Sequence, residues 1–146
     1  MSEKKITDPI KVQSKHGEYS IELQGNIIRL DGKGVVTKAL FQLYHEDVKK
    51  LALPLGGQPW GFLISVKGVG ILTPDAEHAL IDSVRMRKQY GMQACAFVTT
   101  HADIPALVKS QFERVYKAAS IACYFCDCES EALSWLATLN CFLETD

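Results

Sequence analysis

Trp60-Gly61-Phe62-Leu63-Ile64-Ser65-Val66 is a nearly continuous apolar run. It is long enough for one buried strand and too short for a helix. Lys67-Gly68-Val69-Gly70 breaks the pattern. Thr73-Pro74-Asp75 then opens a helix, with a hydroxyl at the N-cap, proline in the first helical position and an acid in the first turn. Ala76, Ala79, Leu80 and Val84 supply its buried stripe, and it runs to about Tyr90 before Gly91 stops it. A second strand, Ala94-Cys95-Ala96-Phe97-Val98, follows at once. Strand, crossover helix and strand make a βαβ unit, expected to be parallel and right-handed.

The rest of the chain extends this unit in both directions. Tyr19, Ile21 and Leu23 alternate with polar residues, Gly25-Asn26 makes a tight turn, and Ile27 to Leu30 returns, so residues 18–31 read as a hairpin. Asp31-Gly32-Lys33-Gly34 ends it. Val36, Leu40, Leu43, Tyr44, Val48 and Leu51 then fall on one helical stripe, closed by Pro54, Gly56-Gly57 and Pro59. After Val98, Asp103 is positioned to cap a helix whose stripe is Ile104, Leu107, Val108, Phe112, Val115 and Ala119. Ile121 to Phe125 is a short strand, and a last amphipathic helix carries Ala132, Leu133, Trp135, Leu136 and Leu139. The expected fold class is α/β: a mixed sheet of about five strands with about four helices, an N-terminal β-hairpin followed by alternating α and β. Residues 1–16 read as a flexible N-terminal tail in which Ile6, Ile10 and Val12 are candidates for an edge strand, and residues 17–146 read as one domain.

Composition narrows the function classes. The net charge of -1 argues against a general electrostatic binder of nucleic acid. No apolar run approaches the roughly 18 residues of a membrane span. The start, Met1-Ser2-Glu3-Lys4-Lys5, lacks the apolar stretch of a signal peptide, so the expected compartment is the cytoplasm. The five cysteines are odd in number, and Cys123, Cys126 and Cys128 crowd together, which fits reduced thiols better than a disulfide framework. Strand alternation puts Cys123 and Cys126 on opposite faces, so no metal is expected there. Small buried hydrophobes are their expected role.

Several local words occur in an order that resembles the STAS-like family, the domain of sulfate transporters and anti-sigma-factor antagonists and of bacterial relatives of unassigned role. They are Gly32 with Gly34, Trp60-Gly61-Phe62, Thr73-Pro74-Asp75-Ala76, Gly91, Phe112 with Tyr116, and Glu131-Ala132-Leu133-Ser134-Trp135-Leu136. The resemblance covers about residues 18–137. It implies a STAS-like fold and a non-enzymatic regulatory or protein-interaction module. In anti-sigma antagonists an Asp-Ser-Ser/Thr-Gly word lies where the central strand hands over to its helix, and its hydroxyl is phosphorylated. This chain has Ile71-Leu72-Thr73-Pro74 there, which makes Thr73 a loosely aligned candidate phosphosite without the aspartate and glycine partners.

The candidate binding residues are Lys67, Gly68, Val69, Gly70, Thr73 and His101, because open α/β sheets place ligands at the carboxyl ends of their strands. The glycines fit neither G-x-G-x-x-G nor G-x-x-x-x-G-K-[ST], so Lys67–Gly70 reads as a flexible loop. Thr73 reads first as an N-cap worth about 1 kcal/mol. His16, His45, His78 and His101 are scattered and have no recognisable nucleophile partner, so no catalytic residue and no cofactor are expected. The expected partner is a protein, or in the alternative reading a small apolar or lipid-like ligand carried in a pocket near Trp60, Tyr124 or Trp135. No nucleic acid is expected, and a homodimer stays open.

Overall fold

The computed structural model describes residues 9–143. Its elements run β1 (Ile10–Gln13), β2 (Gly17–Gln24), β3 (Ile27–Gly34), α1 (Lys38–Ala52), a short tight turn at Leu53–Leu55, β4 (Trp60–Lys67), α2 (Pro74–Gln89), β5 (Met92–Val98), α3 (Pro105–Ala118), β6 (Ala122–Cys126) and α4 (Glu129–Ala137). The sheet follows chain order from β1 to β6. The first three strands are antiparallel, and β3, β4, β5 and β6 are parallel. The apolar run at Trp60 is a central strand, with β3 and β5 as its neighbours.

Each parallel connection steps the same way across the sheet, so right-handed crossovers put all three connecting helices on one face. That face holds the larger core. Trp60, Phe62, Ile64 and Val66 of β4 meet Leu40 and Val48 of α1, Leu80 and Val84 of α2, and Val108 and Phe112 of α3. Among the helices of the described residues, α4, which follows the last strand, packs on the other face, where Ala132 and Leu136 meet Ile27, Leu63, Ala94 and Ala96. The strand alternation carries this division: Cys123 belongs to the first face and Cys126 to the second, as their spacing requires.

Three expectations about extents are corrected. Among the described residues the sheet has six strands, because Ile10–Gln13 pairs with β2 through Ile10↔Ile21 and Val12↔Tyr19, as the edge-strand reading of Ile10 and Val12 expects. Ile6 lies outside the described residues. Asp31-Gly32-Lys33-Gly34 does not end the hairpin but continues β3, because β4 offers partners through Lys33↔Lys67 and β2 through Gly17↔Gly34. The Gly17–Gly34 pair requires glycine: a Cβ on Gly34, at φ +91, would sit 2.4 Å from the His16 carbonyl oxygen. The last strand begins one residue late, at Ala122.

The stripe of α2 contains a residue that its apolar pattern does not announce. Ala76, Leu80 and Val84 are buried as expected, but Ser83 and Arg87 are buried with them, Arg87 at 1% exposure. Its guanidinium carbon stands 4.8 Å from the centre of the Tyr44 ring and 5.4 Å from that of Phe62. None of its three nitrogens has an aligned hydrogen-bond acceptor among the described residues. The Tyr116 hydroxyl is likewise unpaired. Burial raises the pKa of Tyr116 and pushes the Cys95 thiol up, so both are neutral. The guanidinium is therefore held against the π faces of Tyr44 and Phe62, with the Tyr44 side chain also favouring its charge, and no carboxylate pairs with it.

Candidate interaction site at the carboxyl end of the sheet

Parallel register brings two loops together. The loop after β4 and the loop after β5 leave neighbouring strands at the same end, and a Gly68↔Ala102 bridge joins them. The Gly68 N–H donates to the His101 carbonyl at 3.1 Å, and the Asp103 N–H donates to the Gly68 carbonyl at 2.7 Å. Lys67, Gly68, Val69, Gly70 and His101 thus lie at one place, as the sequence reading expects. Thr73 starts α2 farther along the same loop and is tied to the segment before α1: its N–H donates to the Val36 carbonyl at 3.1 Å.

Hydrogen bonds tie this loop to its neighbours on several sides. The Gly70 N–H donates to the Gly34 carbonyl, and the Val36 N–H to the Ile71 carbonyl. The Gln111 side-chain amide of α3 clamps Leu72, accepting from its N–H at 2.8 Å and donating to its carbonyl at 2.9 Å. Arg114 holds Glu77 in a two-pronged contact at 2.9 and 2.7 Å, which keeps the Glu77 carboxyl below its ordinary pKa. Gly70 adopts φ +62, and a Cβ there would meet Val66 Cγ1 at 2.2 Å. No sequence signal points to Gln111 or to the Glu77–Arg114 pair, because both join residues more than thirty positions apart.

Thr73 is the N-cap residue of α2, but its hydroxyl accepts no bond from the helix backbone. It donates instead to Asp75 Oδ1 at 2.6 Å. Thr37, by contrast, does cap α1 through Leu40 N–H. The capping value expected for Thr73 is therefore withdrawn: its hydroxyl is turned toward the Asp75 carboxylate and the Val36 carbonyl, and no helix N–H bonds to its oxygen. The same hydrogen bond is the main cause holding the Asp75 carboxyl below its ordinary pKa. Thr73→Val should raise the Asp75 pKa while leaving stability within about 0.5 kcal/mol. A carboxyl titration followed by NMR checks this, and an unchanged Asp75 would refute it.

Asp103 does not cap α3 either; Ile104 is the N-cap residue and makes no side-chain cap. The stripe expected for α3 is corrected at its start. Val108, Phe112 and Val115 are buried, but Ile104 is 59% exposed and Leu107 48% exposed. Ile104 precedes the helix proper, and the first turn of α3 turns this side to solvent. Leu43 of α1 is exposed for a similar reason, on the side of its helix away from the sheet. Val69, on the adjoining loop, is 42% exposed. Val69, Ile104 and Leu107 therefore place three bare apolar side chains at the carboxyl end of the sheet, on backbone held by hydrogen bonds. Ile104 and Leu107 are the site residues that sequence reasoning misassigned, since helical spacing alone made them core.

Beneath this end lies an apolar cavity of about 60 Å³, lined by residues including Tyr19, Leu30, Leu40, Tyr44, Ile64 and Leu72. Trp60 is fully buried, with its indole N–H donating to the Tyr90 carbonyl at 3.1 Å. Tyr124 and Trp135 stack at 5.3 Å on the other face, beside β6. His16, His78 and His101 are exposed, and His45 Nδ1 lies 2.6 Å from the Ser83 hydroxyl between α1 and α2. Comparison of the chain with protein-family models, curated proteins and solved structures gives no significant match. No helix among the described residues is long and apolar enough to cross a membrane.

Proposed function

We propose that the chain is a non-enzymatic, STAS-like module that regulates a protein partner in the cytoplasm by docking through the carboxyl end of its sheet. The observation that carries this reading is the set of Val69, Ile104 and Leu107, three exposed apolar side chains on the loop after β4, at the end of the loop after β5 and in the first turn of α3, with the two loops joined at Gly68 and Ala102. Grouped apolar side chains on rigid backbone suit protein association, because little ordering is lost when a partner covers them. Lys67 and His101 supply a polar rim. The cavity beneath this end, about 60 Å³, is far below the roughly 300–1,000 Å³ of small-molecule pockets and is too small to carry a lipid. A phosphoswitch at Thr73 requires Asp75 to turn away, since a phosphate there would face its carboxylate.

The test is a paired capture experiment. Wild type and Ile104→Glu/Leu107→Glu are immobilised and exposed to lysate of the source cells, and retained proteins and extracted lipids are quantified. The double variant should keep its melting temperature, because both side chains are already in solvent. It should lose about tenfold or more of a protein that wild type retains. Equal retention by both forms, or a stoichiometric lipid in place of a protein, would refute the proposal.

A further inference from the structure

The two edges of the sheet are built differently. The β1 edge is guarded: Pro9 precedes it and Lys11 lies within it. These are the devices that keep an edge strand from recruiting another. The β6 edge has neither. Its residues, Ala122-Cys123-Tyr124-Phe125-Cys126, include no charge and no proline, and β5 is its sole strand partner among the described residues. Burial rises along it from an exposed Ala122 to a buried Cys126, so its first four residues keep contact with solvent.

Beside this edge, on the α4 face, is a shallow groove lined by Tyr124, Ser130, Glu131, Ser134, Trp135 and Thr138. The stacked Tyr124 and Trp135 rings, 25° from parallel, form its floor. Glu131 is exposed, accepts a long hydrogen bond from the Tyr124 hydroxyl at 3.4 Å, and has no basic partner among the described residues. Glu129 differs, since Arg29 already pairs with it. Asp127 adds a second exposed acid at the end of the strand.

We infer that β6 accepts an extended segment of another protein as a seventh strand, and that the segment carries an arginine or lysine on the α4 face. Main-chain hydrogen bonds to an open edge supply general affinity, and side-chain pockets supply choice. A strand laid next to β6 turns alternate side chains toward the Tyr124–Trp135 stack. A cationic side chain there can lie against the free face of one ring of the stack and reach the Glu131 carboxylate, which has no basic partner among the described residues, and both attract the same charge. A second copy of this chain fits less well. Antiparallel pairing of β6 with itself keeps like faces on one side, and so brings the two acidic α4 faces together. This site is separate from Val69, Ile104 and Leu107, and its test is independent of theirs.

The probe is an end-blocked hexapeptide alternating valine and arginine, titrated into the full chain while amide shifts and tryptophan emission are followed. Trp60 is fully buried, so emission changes report Trp135. Saturable shifts confined to residues 122–126 and to α4 are expected. Glu131→Gln, an exposed change that removes the charge and keeps the shape, should weaken binding several-fold, and Glu131→Lys about tenfold or more. Replacing the peptide's arginines with glutamate should do the same. No binding at millimolar peptide, equal binding of the glutamate peptide, indifference to Glu131→Lys, or a concentration-dependent dimer that masks β6 would each overturn the inference.

Discussion

Arg87→Glu is expected to cost about 3–5 kcal/mol of stability, whereas Arg87→Met leaves stability equal or higher. The guanidinium is fully enclosed, and its compensation comes from the faces of Tyr44 and Phe62 instead of from a carboxylate. Ring faces are negative, so they attract the cation and repel an anion. Methionine keeps much of the volume and removes the desolvated charge altogether. Arg87→Lys should fall between them, because an ammonium is more strongly hydrated and cannot lie flat between two rings. The Arg87→Glu variant carries a pH signature. Its buried carboxyl would have a folded pKa above the unfolded value of about 4.3. Stability would therefore be best at low pH and would fall as pH rises through and beyond that value, until the folded pKa is passed. Urea unfolding of the four proteins from acid to neutral pH checks both claims. An Arg87→Met protein several kcal/mol weaker than wild type would show that the π contacts outweigh the burial of the charge.

Trp60→Ala should cost about 4 kcal/mol, a large part of the roughly 5–15 kcal/mol that holds a domain folded. Trp60 is completely buried at the start of β4, its ring lies 6.0 Å from that of Phe62, and its indole N–H satisfies the Tyr90 carbonyl. Alanine would leave a void between β4 and the end of α2 and would strand that carbonyl. Trp60→Phe separates the two effects, since it restores most of the packing without the donor, and its loss should be nearer 1–2 kcal/mol. The midpoint of urea unfolding should follow this order. A Trp60→Ala protein within about 1 kcal/mol of wild type would mean that the surrounding side chains close over the space.

How far this fold is legible in the chain depends on the range of the interaction. Period and punctuation are local, so the run at Trp60, the stop at Gly91 and the turn at Gly25-Asn26 are all readable, and each has its structural counterpart. Ile10 and Val12 alternate with polar residues and so offer an edge strand, but the segment is too short to decide between strand and tail, and it is a strand because β2 presents a free edge. Thr73 shows the limit within one turn of chain. Residue type favours a cap, but the side chain is oriented to donate to Asp75, and no helix N–H bonds to its oxygen. Arg87 occupies a helical position continuous with Ala76, Leu80 and Val84, so its direction is readable and its burial is not. Burial of a cation depends on Tyr44 and Phe62, which come from two other elements.

The candidate sites divide the same way. Chain order and apolar spacing determine by themselves that this is an alternating α/β domain with loops at the carboxyl ends of parallel strands, because both follow from residues within a few turns of one another. Tertiary structure alone decides that Gly68 meets Ala102, that Ile104 and Leu107 stay bare at the end of an otherwise buried stripe, and that β6 is left as an unguarded edge. The physical reason is that a side chain's spacing says which way it faces on its own element. Whether anything stands opposite to cover it is set by strand order and register, which join distant parts of the chain.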